Sequence, residues 1–385
     1  MAPQTDVHDP FCTPERRALR ESVRAFMTRD VLDHLDAWED GGEVPRSLHR
    51  KAADAGLLGI GFDETVGGSG GDVLDTVVLT EQMLASGGSG GLVAALLTHG
   101  IALPHLVAAA DTEQIEAFVR PVLAGEAIAA LAVTEPDGGS DVAALRTRAT
   151  RDGDVYVVNG SKTYITSGMR ADFFTTAVRT GGDGYAGLSL LVIPVDAAGV
   201  SRRSLPKMGW HCSDTAEIAF SDVRVPARNL VGTEGSGFAQ VATQFVDERI
   251  GLAVQAYATA QRCLDLTIHW VRSRETFGRP LASRQLVRHR LVEMHRQIDV
   301  ARTYTRDVVL RHAAGEEVVA EAALAKNTAV GACDHVVDEA VQLFGGLGYM
   351  RGNEVERHYR DARILGIGGG ATEVMTELVA ARLGW

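Results

Sequence analysis

Three adjacent residues, Asp247, Glu248 and Arg249, place two carboxyl groups and a guanidinium group in the stretch QFVDERIG, within a segment of helical pattern. A carboxylate can act as a general base, and an arginine can bind an anionic group. Successive helical residues point about 100° apart, so both acids cannot face one substrate atom. The alternative is a solvated helix face, which charged runs commonly form. The residues alone leave both interpretations open.

Two glycine-containing stretches could bring backbone groups close to a ligand. The stretch RDARILGIGGGATEVM has three adjacent glycines at 368–370, and residues without side chains allow a close approach of the backbone. The stretch LAVTEPDGGSD, residues 131–141, has a strand pattern that ends in hydroxyl groups and glycines. Hydroxyls and amides at a strand exit can hold the edge of a polar heterocycle or a phosphate, although a plain turn has the same composition.

Composition excludes several classes of function. With 385 residues, 45% apolar and 23% charged, the chain has the profile of an ordinary globular protein of two or three domains. Its net charge of −12 argues against a nucleic-acid partner, which needs a basic face. The first nine residues have no apolar core of a signal peptide, and no apolar stretch is long enough to span a membrane. We therefore expect a cytoplasmic protein without nucleic-acid or membrane partners.

The pattern of elements changes twice along the chain. Residues 1–128 are mainly helical, beginning at Thr13-Pro14, and residues 129–236 are rich in short β-branched runs. In the second zone, Asn159-Gly160 predicts a hairpin turn between two strands, and no strand–helix alternation suggests a parallel sheet. Residues 237–385 return to long helices, with a bundle-type apolar seam from Val287 to Ala301. The predicted class is α+β, with helical domains on either side of a β domain.

A series of ordered motifs carries a family resemblance. These are GLLGIGFDETVGGSGG (56–71), LAVTEPDGGSD, NGSKTYITSG (159–168), GTEGSGF (232–238), RETFGRPLASRQ (274–285), QLFGGLGY (342–349) and RHYRDAR (357–363). Together they closely resemble the acyl-CoA dehydrogenase flavoproteins over nearly the whole chain. The resemblance implies an N-terminal α-helical domain, a central β-barrel-like domain and a C-terminal four-helix bundle. It also implies a homotetramer, arranged as a dimer of dimers.

The resemblance implies FAD as cofactor and oxidation of a saturated acyl-CoA thioester to the trans-2-enoyl-CoA. A carboxylate removes the α proton, and flavin N5 accepts the β hydride. By position, the flavin ring is lined by one group of residues: Leu131, Val133, Thr134, Gly139, Ser140, Tyr164 and Thr166. Ser140 also corresponds to a contact with CoA. Tyr164 stands where the family often has tryptophan, and the alternative for this aromatic residue is a place in the β-domain core.

A second group of residues corresponds to contacts with the FAD of a neighbouring subunit or with its phosphates. These are Arg274, Phe277, Gln285, Gln342, Gly345, Gly346, Ala371 and Glu373. An arginine fork suits a pyrophosphate, although Arg274 could also be a solvated helix end. Ala371 departs from the family pattern, which usually has threonine there, and Thr372 is a candidate for the missing hydroxyl. The resemblance thus predicts one FAD completed by two chains.

The position of the base departs from the commoner family pattern. Many members carry a glutamate after RDA(R/K), but that position here is Gly369, which cannot take a proton. A minority, including long-chain and isovaleryl-type enzymes, place the base on the first long helix of the C-terminal domain. By that match Glu248 is the catalytic base, Asp247 is its rival, and Arg249 lies at the substrate site. The Gly369 amide is then expected to hold the thioester carbonyl and stabilise the enolate.

Other functions remain open at this stage. An oxidase would pass electrons to oxygen, whereas a dehydrogenase would pass them to an electron-transferring flavoprotein. A carrier-protein thioester could replace CoA, and a non-catalytic member could bind flavin or acyl-CoA only. We expect burial beside flavin and acyl chain to raise the pKa of Glu248. The sequence does not predict the length or branching of the acyl chain.

Overall fold

The computed structural model describes residues 9–385, so most of the N-terminal stretch analysed for a signal peptide lies outside the described residues. The first zone is helical. Its helices are α1 Pro14–Phe26, α2 Leu35–Gly41, α3 Arg46–Asp54, α4 Val73–Ala85, α5 Gly90–Leu96, α6 His99–Ala102, α7 Pro104–Ala109, α8 Thr112–Gln114 and α9 Arg120–Leu123. Helix α1 begins as predicted, because Thr13 accepts a hydrogen bond from the Arg16 amide at 3.3 Å.

The second zone forms the predicted β domain. Its strands are β1 Ala129–Ala132, β2 Arg148–Asp152, β3 Val155–Thr166, β4 Phe173–Arg179, β5 Leu188–Pro194, β6 Val200–Ser204, β7 Thr215–Pro226 and β8 Leu230–Val231. The sheet order is β6-β7-β3-β2-β4-β5-β8, and β1 pairs with β4. Most pairings are antiparallel, but β1 and β2 each run parallel to β4.

The hairpin predicted at Asn159-Gly160 is wrong, because both residues lie inside the single strand β3. The pairing of β3 with β7 shifts register between Val158 and Gly160, which identifies a β-bulge. Gly160 has φ +146°, and a Cβ there would lie 2.6 Å from Oγ1 of Thr147. The glycine therefore permits β3 to lie close to the residue before β2, and the chain does not reverse there.

The third zone is helical again. A short two-stranded ribbon, β9 Glu275–Thr276 and β10 Arg279–Pro280, follows the 37-residue helix α10 Gly237–Ser273. The remaining helices are α11 Gln285–Ala313, α12 Val319–Phe344, α13 Gly346–Tyr349, α14 Glu354–Ala362 and α15 Thr372–Leu383. The predicted seam faces inward, since Met294, Ile298 and Ala301 have no exposed surface. The α+β class with helical first and last zones is confirmed.

One hydrophobic core joins the two helical zones. It contains residues of α1 and α4 together with residues of α10, α11 and α12. Helix α10 packs along α12 and α4, so its side chains are held by both zones. Across residues 9–385 no single helix is long and apolar enough to cross a membrane. The segments Gly90–Leu96 and His99–Ala109 reach that length and composition only as a pair bent by 54°.

Candidate active site

The carboxyl group of Glu248 lies beside the glycine turn at residues 368–370. A Cβ built on Gly369 would be 3.4 Å from Oε1 of Glu248 and 2.3 Å from Cδ1 of Leu252. Leu252 is one helical turn after Glu248, so both side chains lie on the same face of α10. The structure thus brings together the two residues that the sequence analysis assigned to catalysis, Glu248 and Gly369. They come from elements 121 positions apart in the chain (369 − 248).

The neighbouring acid points elsewhere. Asp247 is exposed, and its Oδ1 lies 2.7 Å from Nε2 of His312 near the end of α11. This contact raises the pKa of His312, chiefly through the hydrogen bond to the carboxylate. Asp247 and Glu248 therefore point in different directions, as successive helical residues do.

Burial and two nearby cations act on the pKa of Glu248. Burial raises the pKa of its carboxyl group, while the positive charges of Arg249 and Lys326 act in the opposite direction. The net direction is upward, as expected from the sequence. Arg249 is buried, its guanidinium carbon lies 5.6 Å from the ring centre of Phe245, and its Nε has no hydrogen-bond partner among residues 9–385. A buried donor without a partner is available to a ligand.

The glycine turn connects α14 to α15 in a conformation that requires glycine. Gly369 and Gly370 have φ values of +62° and +97°, in the left-handed region. Helix α15 then begins at Thr372 without a side-chain cap on Ala371, so its first amides remain available as donors. The Thr372 hydroxyl donates to the Gly366 carbonyl at 3.3 Å, within the same loop. Glu373 is exposed in the first turn of α15.

A buried ion pair fixes the predicted flavin-lining loop after β1. Nζ of Lys162 on β3 donates to the Val133 carbonyl and to Oε1 of Glu135, both at 2.9 Å. Glu135 also accepts hydrogen bonds from the amides of Arg146 and Thr147. The sequence analysis did not identify Lys162 or Glu135. The signal that could have identified Lys162 is a lysine within a strand pattern that is rich in β-branched residues.

Around this loop the predicted ring-lining residues differ in exposure. Leu131, Val133 and Thr134 are half-buried, whereas Gly139 and Ser140 are exposed. Tyr164 is 71% exposed with φ +60°, at a second irregularity of β3, so it is not part of the β-domain core. An exposed aromatic residue in an uncommon backbone conformation is typical of a binding surface. Thr166 ends β3 and is half-buried.

The residues predicted to reach a neighbouring subunit, called here the exposed region, lie after α10, in the ribbon that follows it, at the start of α11 and at the end of α12. Arg274 directly follows α10, with its guanidinium carbon 5.9 Å from the Trp270 ring centre, and Trp270 stacks on Phe344 at 5.1 Å. The structure therefore brings the end of α10 next to the end of α12. The other members of the region are exposed: Phe277 (97%), Gln285, Gln342, Gly345 and Gly346.

These features fit a flavin dinucleotide. An exposed aromatic side chain can cover a flat ring, an uncapped helix start can hold phosphate oxygens, and an exposed arginine can bind a pyrophosphate. Tyr164, the start of α15 and Arg274 provide these groups. Bound FAD would supply the two-electron acceptor, and Glu248 would supply a proton acceptor.

Comparison with known proteins covers almost the entire chain. Residues 13–126, 130–223 and 235–384 match the N-terminal, middle and C-terminal domains of acyl-CoA dehydrogenase. The mitochondrial long-chain specific acyl-CoA dehydrogenase of Mus musculus is 36% identical over 96% of this chain and 86% of its own length. A probable acyl-CoA dehydrogenase of Mycobacterium abscessus is 63% identical in its crystal structure, with a TM-score of 0.96, covering 97% of this chain and 100% of that one.

A further solved relative is the butyryl-CoA dehydrogenase of Megasphaera elsdenii. It is 30% identical, with a TM-score of 0.92, over 98% of this chain and 100% of that chain. Relatives named for long-chain and for butyryl substrates therefore share this fold. The chain belongs to the acyl-CoA dehydrogenase family, whose members are FAD-dependent oxidoreductases that use acyl-CoA substrates.

Proposed function

We propose that this protein catalyses the FAD-dependent α,β-dehydrogenation of a saturated acyl-CoA to the trans-2-enoyl-CoA, with Glu248 as the base. The supporting observation is the 3.4 Å distance between Oε1 of Glu248 and the point where a side chain on Gly369 would begin. A carboxylate from α10 thus lies beside the turn in which many family members carry a glutamate at the position of Gly369. This proximity argues against a non-catalytic member, for which Gly369 was the main support.

Glu248 takes the α proton of the thioester onto a carboxylate oxygen. A general base works best when its pKa is near the working pH, and burial moves the pKa of Glu248 in that direction. Substrate binding would remove further water and strengthen the same effect. Asp247, which contacts His312, has no part in this step.

The Gly369 amide binds the thioester carbonyl oxygen and stabilises the negative charge that forms there when the proton leaves. An amide does this without a side chain, and glycine lets the acyl group approach closely. Arg249, buried with a free Nε donor among the described residues, is the second polar group of the substrate site. Ser140, on the exposed loop after β1, contacts the CoA portion.

The FAD site requires a second copy of this chain. Leu131, Val133, Thr134, Gly139, Tyr164 and Thr166 would line the flavin ring, and the start of α15 with Ala371 and Glu373 would hold phosphates. The exposed region of Arg274, Phe277, Gln285, Gln342, Gly345 and Gly346 would contact the cofactor of the neighbouring subunit. Large exposed side chains such as Phe277, at 97%, are expected where a partner chain covers them. We infer a homotetramer, arranged as a dimer of dimers, with an electron-transferring flavoprotein as electron acceptor.

A comparison of two adjacent acids tests the proposed base. The purified holoprotein is mixed without oxygen with saturated acyl-CoAs of different length and branching, and bleaching of the flavin absorbance is followed. With the best substrate, Glu248→Gln should slow bleaching by about 10²–10⁴-fold, the usual contribution of a general base. Asp247→Asn is the matched control and should retain a rate close to the unmodified protein.

Three results would contradict the proposal. Full-rate bleaching by Glu248→Gln together with loss in Asp247→Asn would reassign the base. Absence of bleaching with every acyl-CoA would favour a non-catalytic or carrier-protein role, which acyl-carrier substrates then distinguish. Rapid turnover with oxygen as the sole acceptor would identify an oxidase instead of a dehydrogenase.

A further inference from the structure

Lys326 is a fully buried cation next to the proposed site. It lies on α12 with no exposed surface, and its Nζ donates a hydrogen bond to the carbonyl oxygen of Gly370. The next residue, Asn327, donates from Nδ2 to the carbonyl of Thr372 at 3.0 Å. Two adjacent side chains of one helix therefore hold the peptide groups that follow Gly369. The glycine turn cannot move away from α12 without breaking both contacts.

A neutral side chain would be enough to hold a backbone carbonyl, as Asn327 demonstrates. Burying an ammonium group is unfavourable unless other charges or hydrogen bonds compensate it. Burial lowers the pKa of Lys326 to about 8, and the carboxylate of Glu248 counteracts this while Arg249 reinforces it. The charged groups that act on Glu248 are Arg249 on its own helix and Lys326 on α12. The positive charge of Lys326 therefore stabilises the carboxylate of Glu248, the proposed base.

We propose that Lys326 is a positioning residue for proton abstraction, which aims the Gly369 amide through the Gly370 carbonyl and favours the ionised form of Glu248. This inference rests on the proposed function. Lys326 itself neither gains nor loses a proton in the step. The α proton goes to Glu248, the electron pair of the broken C–H bond stays on the substrate, and the resulting charge resides on the thioester oxygen at the Gly369 amide.

The sign of the electrostatic effect follows from charge. Removing the Lys326 cation leaves the carboxylate of Glu248 less stabilised, so a higher pH is needed to ionise it. The acid limb of the pH–rate profile should therefore move to higher pH. Loss of the hydrogen bond to Gly370 acts separately, because it loosens the turn and lowers the rate at every pH. A merely structural lysine would lower stability and rate without moving the limb.

Two variants and one control separate these effects. Lys326→Met removes both the charge and the donor, Lys326→Gln removes the charge and keeps a donor, and Asn327→Ala removes the neighbouring clamp without changing charge. All three are prepared as holoproteins, and their FAD content and thermal midpoint are recorded. If the Met variant is isolated without FAD, the Gln variant decides.

The probe is a 3-thia-acyl-CoA, in which sulfur at the β position prevents hydride departure while the α proton can still be removed. Deprotonation is read from the long-wavelength absorbance of the enolate beside the oxidised flavin, as a function of pH. We expect enolate formation at pH 7 to fall by about 10–100-fold in the Lys326 variants, the scale of a misplaced reacting group. Enolate formation by the Lys326 variants should recover in part at higher pH. Asn327→Ala should form the enolate with the same pH midpoint as the unmodified protein.

The outcomes distinguish this inference from the proposed function. If the unmodified protein forms the enolate and both Lys326 variants form it with the same pH midpoint, Lys326 is only structural and the inference fails. If the unmodified protein neither forms the enolate nor reduces its flavin with any acyl-CoA, the proposed function itself fails. A midpoint that moves equally in Asn327→Ala would assign the effect to the turn instead of the charge and would also overturn the inference.

Discussion

Placing a methyl group on Gly369 tests the geometry on which the proposed base depends. The Cβ of an alanine there would lie 2.3 Å from Cδ1 of Leu252, far inside the ordinary contact distance of about 3.5–4.0 Å. It would lie 3.4 Å from Oε1 of Glu248, so any relaxation of Leu252 or of the turn disturbs the carboxylate. The backbone adds strain, because φ is +62° and favours glycine.

The expected cost of Gly369→Ala has two parts. A non-glycine residue in the left-handed region costs roughly 1–2 kcal/mol, and overpacking against Leu252 costs roughly 1–3 kcal/mol. The free energy of unfolding should therefore fall by about 2–5 kcal/mol, toward the lower end if the Leu252 side chain rotates away. A displacement of about 1 Å at the reacting groups can also slow flavin bleaching by about 10²-fold.

Gly368→Ala is the matched control within the same turn. Its φ lies outside the left-handed region, and its Cβ would find the Ile364 carbonyl at 3.6 Å, an ordinary contact. This variant should be neutral or stabilised by up to about 1 kcal/mol, because alanine restricts the unfolded chain. Urea unfolding with FAD in fixed excess and anaerobic bleaching with acyl-CoA are measured for both variants.

A second comparison isolates the steric part of the stability loss caused by Gly369→Ala. In a Leu252→Ala background the methyl of Gly369→Ala no longer meets Cδ1, so its cost should fall to the backbone part, roughly 1–2 kcal/mol. If Gly369→Ala matched Gly368→Ala in stability and bleaching rate, neither Leu252 nor Glu248 would lie where the structure places them. The reasoning about the base would then be refuted.

Three further changes probe the surroundings. Lys162→Met leaves a buried carboxylate without its partner and should lower the free energy of unfolding by about 3–5 kcal/mol in urea titrations; a loss below 1 kcal/mol would contradict this. His312→Asn should lower the free energy of unfolding by at most about 1 kcal/mol, because the pair of His312 and Asp247 is partly exposed. Since Asp247 raises the pKa of His312, this loss should be present below about pH 6.5 and should vanish as the pH rises through the raised pKa. Arg274→Ala should weaken FAD retention about tenfold or more, the scale of a charged hydrogen bond. Arg272, also exposed, is the control, and Arg272→Ala should retain FAD; equal FAD-to-polypeptide ratios in the two variants would refute the phosphate role.

The sequence predicted the order of the zones because their periodicities differ and persist. The apolar steps from Val287 to Ala301 repeat over several turns, and Val287, Met294, Ile298 and Ala301 are buried in α11. The hairpin at Asn159-Gly160 failed because its signal is local. A bulge and a turn both need a residue that tolerates unusual φ, and only the pairing of β3 with β7 shows which one is present.

The candidate site was predictable only in part. Glu248 and Gly369 could be proposed from the sequence because Glu248 matches one family motif and Gly369 departs from another, each at a fixed place in the chain. Lys326 was not, since a lysine in the stretch AALAKNTAV looks like one polar position on an alanine-rich helix. Its contact with the Gly370 carbonyl spans 44 positions and depends on how α12 packs against α15. Pair contacts of this kind are set by tertiary packing, which one sequence does not display.

The separation of base and amide donor has a mechanical consequence. Glu248 belongs to a 37-residue helix that packs against α12 and α4, so its position is fixed by the joint core of both helical zones. The Gly369 amide belongs to a turn that is fixed instead through the carbonyls held by Lys326 and Asn327. A base carried on the turn would move with the amide, whereas here the two can be displaced independently. Changes to the side chains of Lys326 and Asn327 should therefore alter carbonyl binding before they move the carboxylate, whereas changes along α10 should first move the carboxylate.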